Sequence, residues 1–360
     1  LLTGSMLLSL LPVSALAAAP VFENRGLISS GTYSQPVHNS GIISGGQFNG
    51  SVANNSGTIS GGTFLDDVSN SGTISNGTFQ AGVNNSGNIS GGTFQGNVGN
   101  WGSISGGTFL GNVDNWGTIS NGTFQRKVDN QGTIFNGTFQ QPVNNSKTIR
   151  GGIFQGKVAN FRTISGGTFE EVVEMNESPD GVTIEGGTFK KGIKLNAGAC
   201  YPTITDGLFD GKVSAAEGYS GMLSISGGLF TNAAAVSTVS PDNLSITGGY
   251  FVNKPTLPEG SNIAFTSVSD QNGGNFQVPV NDGFSESYTS LYVPSGSSEQ
   301  PNTITVKTDA ALFDCLAADA DVSIMSSVVS KGGNTYEIPV RGYEKIVLVT
   351  EEPAPPTPGD

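Results

Sequence analysis

The chain has 360 residues, of which 53 are glycine and only 12% are charged. That much glycine without a three-residue period excludes collagen, and a 36% hydrophobic share exceeds what plain disorder carries. The net charge of −13 argues against nucleic acid as a main partner.

At the N-terminus, the apolar run from Leu7 to Leu16 meets the small-residue cluster Ala15-Leu16-Ala17-Ala18-Ala19. This reads as the core and cleavage site of a secretory signal peptide, residues 1–17, cut after Ala17. The run is too short for a transmembrane span, and no later segment is long enough. The expectation is therefore an extracellular chain, secreted or surface-attached, with no membrane insertion once the signal is removed.

From Asn24 to Asn253 the chain repeats itself. Phenylalanine recurs at 48, 64, 79, 94, 109, 124, 139, 154 and 169, then at 189, 209, 230 and 251, with Tyr33 heading the series. An isoleucine stands five residues before each ring, as at Ile59, Ile74 and Ile89, and from Val37 to Val213 a valine or isoleucine stands four residues after, as at Val68, Val83 and Val98. The unit reads T-I-S-G-G-T-F-x-G-x-V-x-N-x-G. One such unit cannot bury three large side chains alone, but identical units stacked on one another form three apolar ladders. The even Phe-to-Val offset places both on one strand, facing inward; the odd Ile-to-Phe offset requires a corner between them.

From Gly45 to Gly248, Gly, Asn or Asp fills the first position of that corner, as at Gly61, Asn76, Gly91 and Asp206, and Gly always fills the second, so left-handed backbone is expected there. A second corner carries Asn-x-Gly, as at Asn70-x-Gly72 and Asn100-x-Gly102, where in-register asparagines can bond their copies on adjacent coils. The fold expected is all-β, a single-stranded parallel β-helix of 15-residue coils, right-handed by the crossover rule. Fourteen coils at ~4.8 Å give a rod of roughly 65 Å.

The G-G-T-F blocks at 61–64, 91–94, 106–109 and 166–169, with lead-ins of the N-x-G-T-I type (complete before 61–64, one position changed before the others), carry a resemblance to G-G-T-F repeat solenoids. These are adhesin-like secreted and cell-surface proteins of gut-type Gram-positive bacteria. The resemblance implies a surface role in adhesion or glycan contact, with a glycan or a host or bacterial surface component as partner.

Departures from the repeat are where function is sought. Trp101 and Trp116 share one corner position on adjacent coils and should stack into an aromatic platform for sugars; Phe161 repeats the position three coils beyond Trp116. Arg126, Lys127, Lys147, Arg150, Lys157 and Arg162 crowd into three coils, a solvated face or a polyanion contact. Glu170, Glu171, Glu174, Glu177 and Asp180 gather before the first long insertion and are the best acid candidates for a polysaccharide-degrading alternative. The insertions 174–180, 195–202, 214–222 and 233–243 all fall between the Val position and the next Ile, so they should line one edge of the rod.

No catalytic residue is assigned. His38 is the only histidine, which leaves nucleophilic schemes without a base, and no metal-ligand spacing or cofactor motif occurs. Cys200 and Cys315 leave open one disulfide or two thiols. A purely structural stalk is the third reading.

Past Pro255 the repeat stops. Segments 275–280, 290–293, 303–307, 322–325, 336–340 and 345–350 read as strands, and Asp309 to Ala318 as a short helix after a Thr308 N-cap, with Leu312, Phe313 and Leu316 on one face. Residues 255–350 thus form a small mixed β/α domain that would cap the rod. The tail 351–360 is a Pro-rich spacer of the kind that leads to a wall-attachment region.

Overall fold

The computed structural model describes residues 20–199, 201–232, 239–270, 274–282, 288–292, 302–308, 310–317, 322–340 and 345–350. The segment read as a signal peptide, Cys200 and the Pro-rich tail lie outside these residues.

Each coil contributes three short strands, for example Val68–Asn70, Thr73–Ile74 and Thr78–Phe79. Every strand pairs in parallel with its copy on the next coil: Val68 with Val83, Ile74 with Ile89, Phe79 with Phe94. The Val strands build a 13-stranded sheet, and the Ile and Phe strands form the other two faces of a three-sided prism. The expectation that Phe and Val share one strand is corrected here. A bend separates them in every regular coil, so each apolar ladder has its own face.

The core is made of those ladders. Phe48 through Phe251 are at most 1% exposed, and their rings stack face to face at 4.5–4.9 Å with interplanar angles of 3–9°. A parallel β-sheet spaces strands at that same distance, so coil stacking sets ring stacking. From Tyr33 to Phe251 the stack runs about 60 Å. Tilted rings close both ends: Phe22 meets Tyr33 at 58°, and Phe265 meets Phe251 at 90°.

At the Ile-to-Phe corner, positive φ belongs to the second residue alone, from Gly31 to Gly249. Asn76, Asn121, Asn136 and Asp206 in the first position are not left-handed, which corrects the expectation for them. Each instead accepts a hydrogen bond from the N–H of the glycine that follows, at 2.7–2.9 Å. That glycine then opens to φ 129–134°, against 100–113° where the first residue is Gly. The corner has two backbone settings, chosen by whether its first residue is an Asn or Asp whose side chain takes that hydrogen bond; Ser30 leaves Gly31 at φ 103°.

A fourth ladder is polar and buried. Because Val and Asn are two residues apart on one strand, Asn points inward beside Val. From Asn24 to Asn145 each Nδ2 donates to the next coil's Oδ1 at 2.6–2.8 Å, ending on Asn160, with every asparagine at most 5% exposed. Backbone carbonyls take the remaining amide hydrogens; Asn100 Nδ2 also reaches Gly102 O at 3.2 Å and Thr118 O at 3.3 Å. Met175 and Leu195 then replace Asn, and both are buried.

That replacement coincides with the long insertions. The first residues of the insertions still belong to Val strands, Val173–Met175, Ile193–Leu195 and Val213–Ala215, so the extra chain begins later than the repeat pattern suggests. It folds back onto the rod at the expected edge. Ser178, Ala199, Tyr219 and Val239 are buried beneath it, and Val182, Leu223 and Leu244 add an inward apolar row.

Beyond Phe251 lies an antiparallel sheet. Its strand order is Val329–Gly332, Thr335–Pro339, Thr303–Lys307, Ala264–Asp270, Asn275–Asp282, Tyr288–Tyr292, Lys345–Val349, Asp314–Ala317 and Val322–Ser323. The helix expected over Asp309 to Ala318 is not formed. Asp314–Ala317 is a strand with Cys315 and Ala317 inward, while Phe313 is exposed; pairing with Lys345–Val349 on one side and Val322–Ser323 on the other outweighs helix periodicity in so short a run. The strand expected at 322–325 ends at Ser323, followed by a 3₁₀ turn over Met325–Ser327. Gln277 pairs antiparallel with Phe251 and so covers part of the last coil's open edge. Phe251 faces the rod's core and Tyr250 the sheet's own core, where it meets Phe276 edge-on at 5.9 Å.

Candidate functional site

The Asn-x-Gly corner turns sharply after its inward Asn, which throws the intervening residue outward. Trp101 and Trp116 occupy that position and are 53% and 39% exposed. Their rings lie 4.6 Å apart at 7°, in the same register as the buried phenylalanines. The pair therefore stands as two plates in a rack along the rod axis. A ligand meets the plates' edges and two end faces; the surfaces between the plates are occupied by each other.

The sheet beneath is shaped to receive the pair. Outward positions of the Val strands run Asn84, Gly99, Asp114, Asp129, Asn144 on successive coils. Gly99 is the only glycine at this position from Glu23 to Ser214. A Cβ there would lie 2.8 Å from Cζ3 of Trp101 and 3.3 Å from Oδ1 of Asn84. A side chain there would crowd the Trp101 indole, which would have to shift to make room. Asn144 Nδ2 donates to Asp129 at 2.7 Å, and Lys127 pairs with the same carboxylate at 2.8 Å.

Phe161 holds the same corner position but does not join the rack. Gln131 and Ser146 separate it from Trp116, a gap of about 14 Å at the observed coil spacing, and its ring is half-buried.

The acidic candidates are divided between different parts of the rod. Glu170 and Glu171 sit past the Phe strand and pair across coils with Lys190 at 2.8 Å and Lys191 at 2.6 Å. Glu174 projects from the Val face beside Lys194, and Asp180 lies in the long loop, paired with Arg162 at 2.6 Å. Glu177 lines a shallow loop cleft of about 420 Å³ with Tyr201, Met222 and Asn243. Among the described residues no three His, Cys, Asp or Glu side chains converge as a metal site would require. Of the basic group, Lys127 and Arg162 are in ion pairs and Arg150 lies over the Phe135 ring at 5.4 Å. Arg126, Lys147 and Lys157 are exposed.

Sequence reasoning located the tryptophans but missed Gly99 and Asn84 as their setting. The signal was present: a lone glycine in an outward column two residues before the first tryptophan. No family model, no curated protein and no solved structure matches this chain.

Proposed function

We propose that the protein is a non-enzymatic, secreted or cell-surface solenoid that contacts glycans through the Trp101/Trp116 rack. The observation that carries this reading is an exposed, preordered indole pair seated over a cleared glycine and bordered by amide and carboxylate side chains. Large apolar rings left in water beside hydrogen-bonding groups suit a ligand with one apolar face and a polar rim. The signal-like N-terminus and the resemblance to adhesin-like repeat proteins of gut-type Gram-positive bacteria support an extracellular site of action.

Screening the full chain and Trp101→Ala/Trp116→Ala on a glycan array tests it. Binding by the wild type and its loss in the double variant are expected. An array on which both proteins behave alike removes the glycan reading and leaves the stalk. The degradative alternative draws no support from the acids, which are split between corners and largely paired with Lys or Arg. Reducing ends released from plant or host polysaccharide would revive it.

A further inference from the structure

We infer that the ligand is a neutral glycan, one of whose pyranose rings lies against the N-terminal face of Trp101, in the gap over Ser86, with Asn84 at its rim. This rests on the reading of the Trp pair as a glycan contact.

The rack leaves two end faces. One belongs to Trp116 and looks toward the coil of Gln131; the other belongs to Trp101 and looks toward the coil of Ser86. The flanks differ in size. Gln131 is long enough to lie along an indole, whereas Ser86, and Ser71 before it, carry only hydroxymethyl groups. Exposure follows the same asymmetry, 53% at Trp101 against 39% at Trp116. The open face is the one at Trp101.

Depth and chemistry fit a sugar ring there. Stacked carbons settle ~3.5–4 Å apart, within the 4.7 Å step from coil to coil. The π-face attracts the weakly positive hydrogens of a pyranose's apolar side. Trp101 and Asn84 Oδ1 approach the same point above Gly99, so the amide lies at the ring's edge, with both donors and acceptors to offer hydroxyls. Asp114 projects from the coil of Trp116, two coils or about 9.5 Å from the gap, and its negative field disfavours uronic and other acidic sugars. The same field, with a net charge of −13, disfavours a nucleobase in the gap.

The test is titration of full-length protein with neutral oligosaccharides that score on the array, with acidic glycans and single-stranded DNA as competing probes. Ser86→Trp adds a third plate over the open face while leaving both native indoles in place. Loss of about tenfold or more is expected for Ser86→Trp and for Trp101→Ala, the scale of one stacking contact. Trp116→Ala, which removes only the backing plate, should stay within about fivefold, and Asn84→Ala should weaken binding. Circular dichroism of each variant reports the fold, and the buried ladders should keep it unchanged. Wild-type affinity in Ser86→Trp, or abolition by Trp116→Ala alone, overturns the placement while leaving glycan contact standing. Preference for acidic glycans or for DNA overturns the ligand class. Failure of the wild type to bind any glycan overturns both this placement and the function proposed above.

Discussion

A single residue in this rod is multiplied by its copies, so its cost depends on which ladder it interrupts. Phe109 is fully buried between Phe94 and Phe124 at 4.7 Å on either side. Phe109→Ala should lose about 3–5 kcal/mol of stability, read as a lowered denaturant midpoint; Trp101→Ala on the surface should cost far less. The asparagine ladder responds differently. In Asn100→Leu the donor of Asn85 keeps Gly87 O and Ser103 O, but Oδ1 of Asn115 loses its partner inside the core. A cost of about 1–3 kcal/mol is expected. At the corner, Gly107 has φ 107° and a Cβ there would stand 3.2 Å from Gly92 O. Gly107→Ala should therefore destabilise by about 1–3 kcal/mol. Gly106→Asn should cost less, because coils at Asn76, Asn121 and Asn136 already accommodate that residue by opening the following glycine. Equal losses for the two would show that the corner has no second setting.

At the scale of elements, the repeat was legible because its constraints are local. Alternation fixes which of Val and Asn face inward, and Gly-Gly marks a corner. What escaped was the division of Phe and Val between two strands: an offset of four is even whether or not a bend intervenes, so parity cannot detect the bend. The segment at Asp309 to Ala318 failed for another reason. Its apolar spacing suits a helix, yet sheet partners on both sides, distant in sequence, claim Asp314–Ala317. That sheet also holds a titration probe. Burial, with help from the neighbouring Asp314 carboxylate, pushes the Cys315 thiol up to about 12. The unfolded thiol ionises near ~9, so the folded state is favoured below that pH and loses the advantage as pH rises toward 12. Burial pushes the Tyr250 phenol up as well, in the same direction. Alkaline unfolding should thus steepen above pH ~9 and be blunted in Cys315→Ala. In the native protein an alkylating reagent should leave Cys315 unmodified; rapid labelling at neutral pH would contradict its burial.

Across the whole molecule, each coil touches only its neighbours, so stability should behave as a one-dimensional sum. Phe64→Ala and Phe169→Ala, far apart along the stack, should add within about 0.5 kcal/mol, whereas Phe109→Ala with Phe124→Ala, in direct contact, should deviate by about 0.5–3 kcal/mol. Denaturation of the two double variants against their singles checks this.

The amino-acid sequence by itself determined the solenoid, the coil length, the identity of the three apolar ladders and the two tryptophans, because a repeat writes its packing rule into every period. The tertiary structure alone decided the rest. It divided Phe and Val between two strands and folded the insertions onto the rod. It scattered a sequence-local run of acids to separate corners, and it built an antiparallel sheet over the last coil. Each of these depends on which residues become neighbours across a coil or a sheet, a distance that spacing along the chain does not encode.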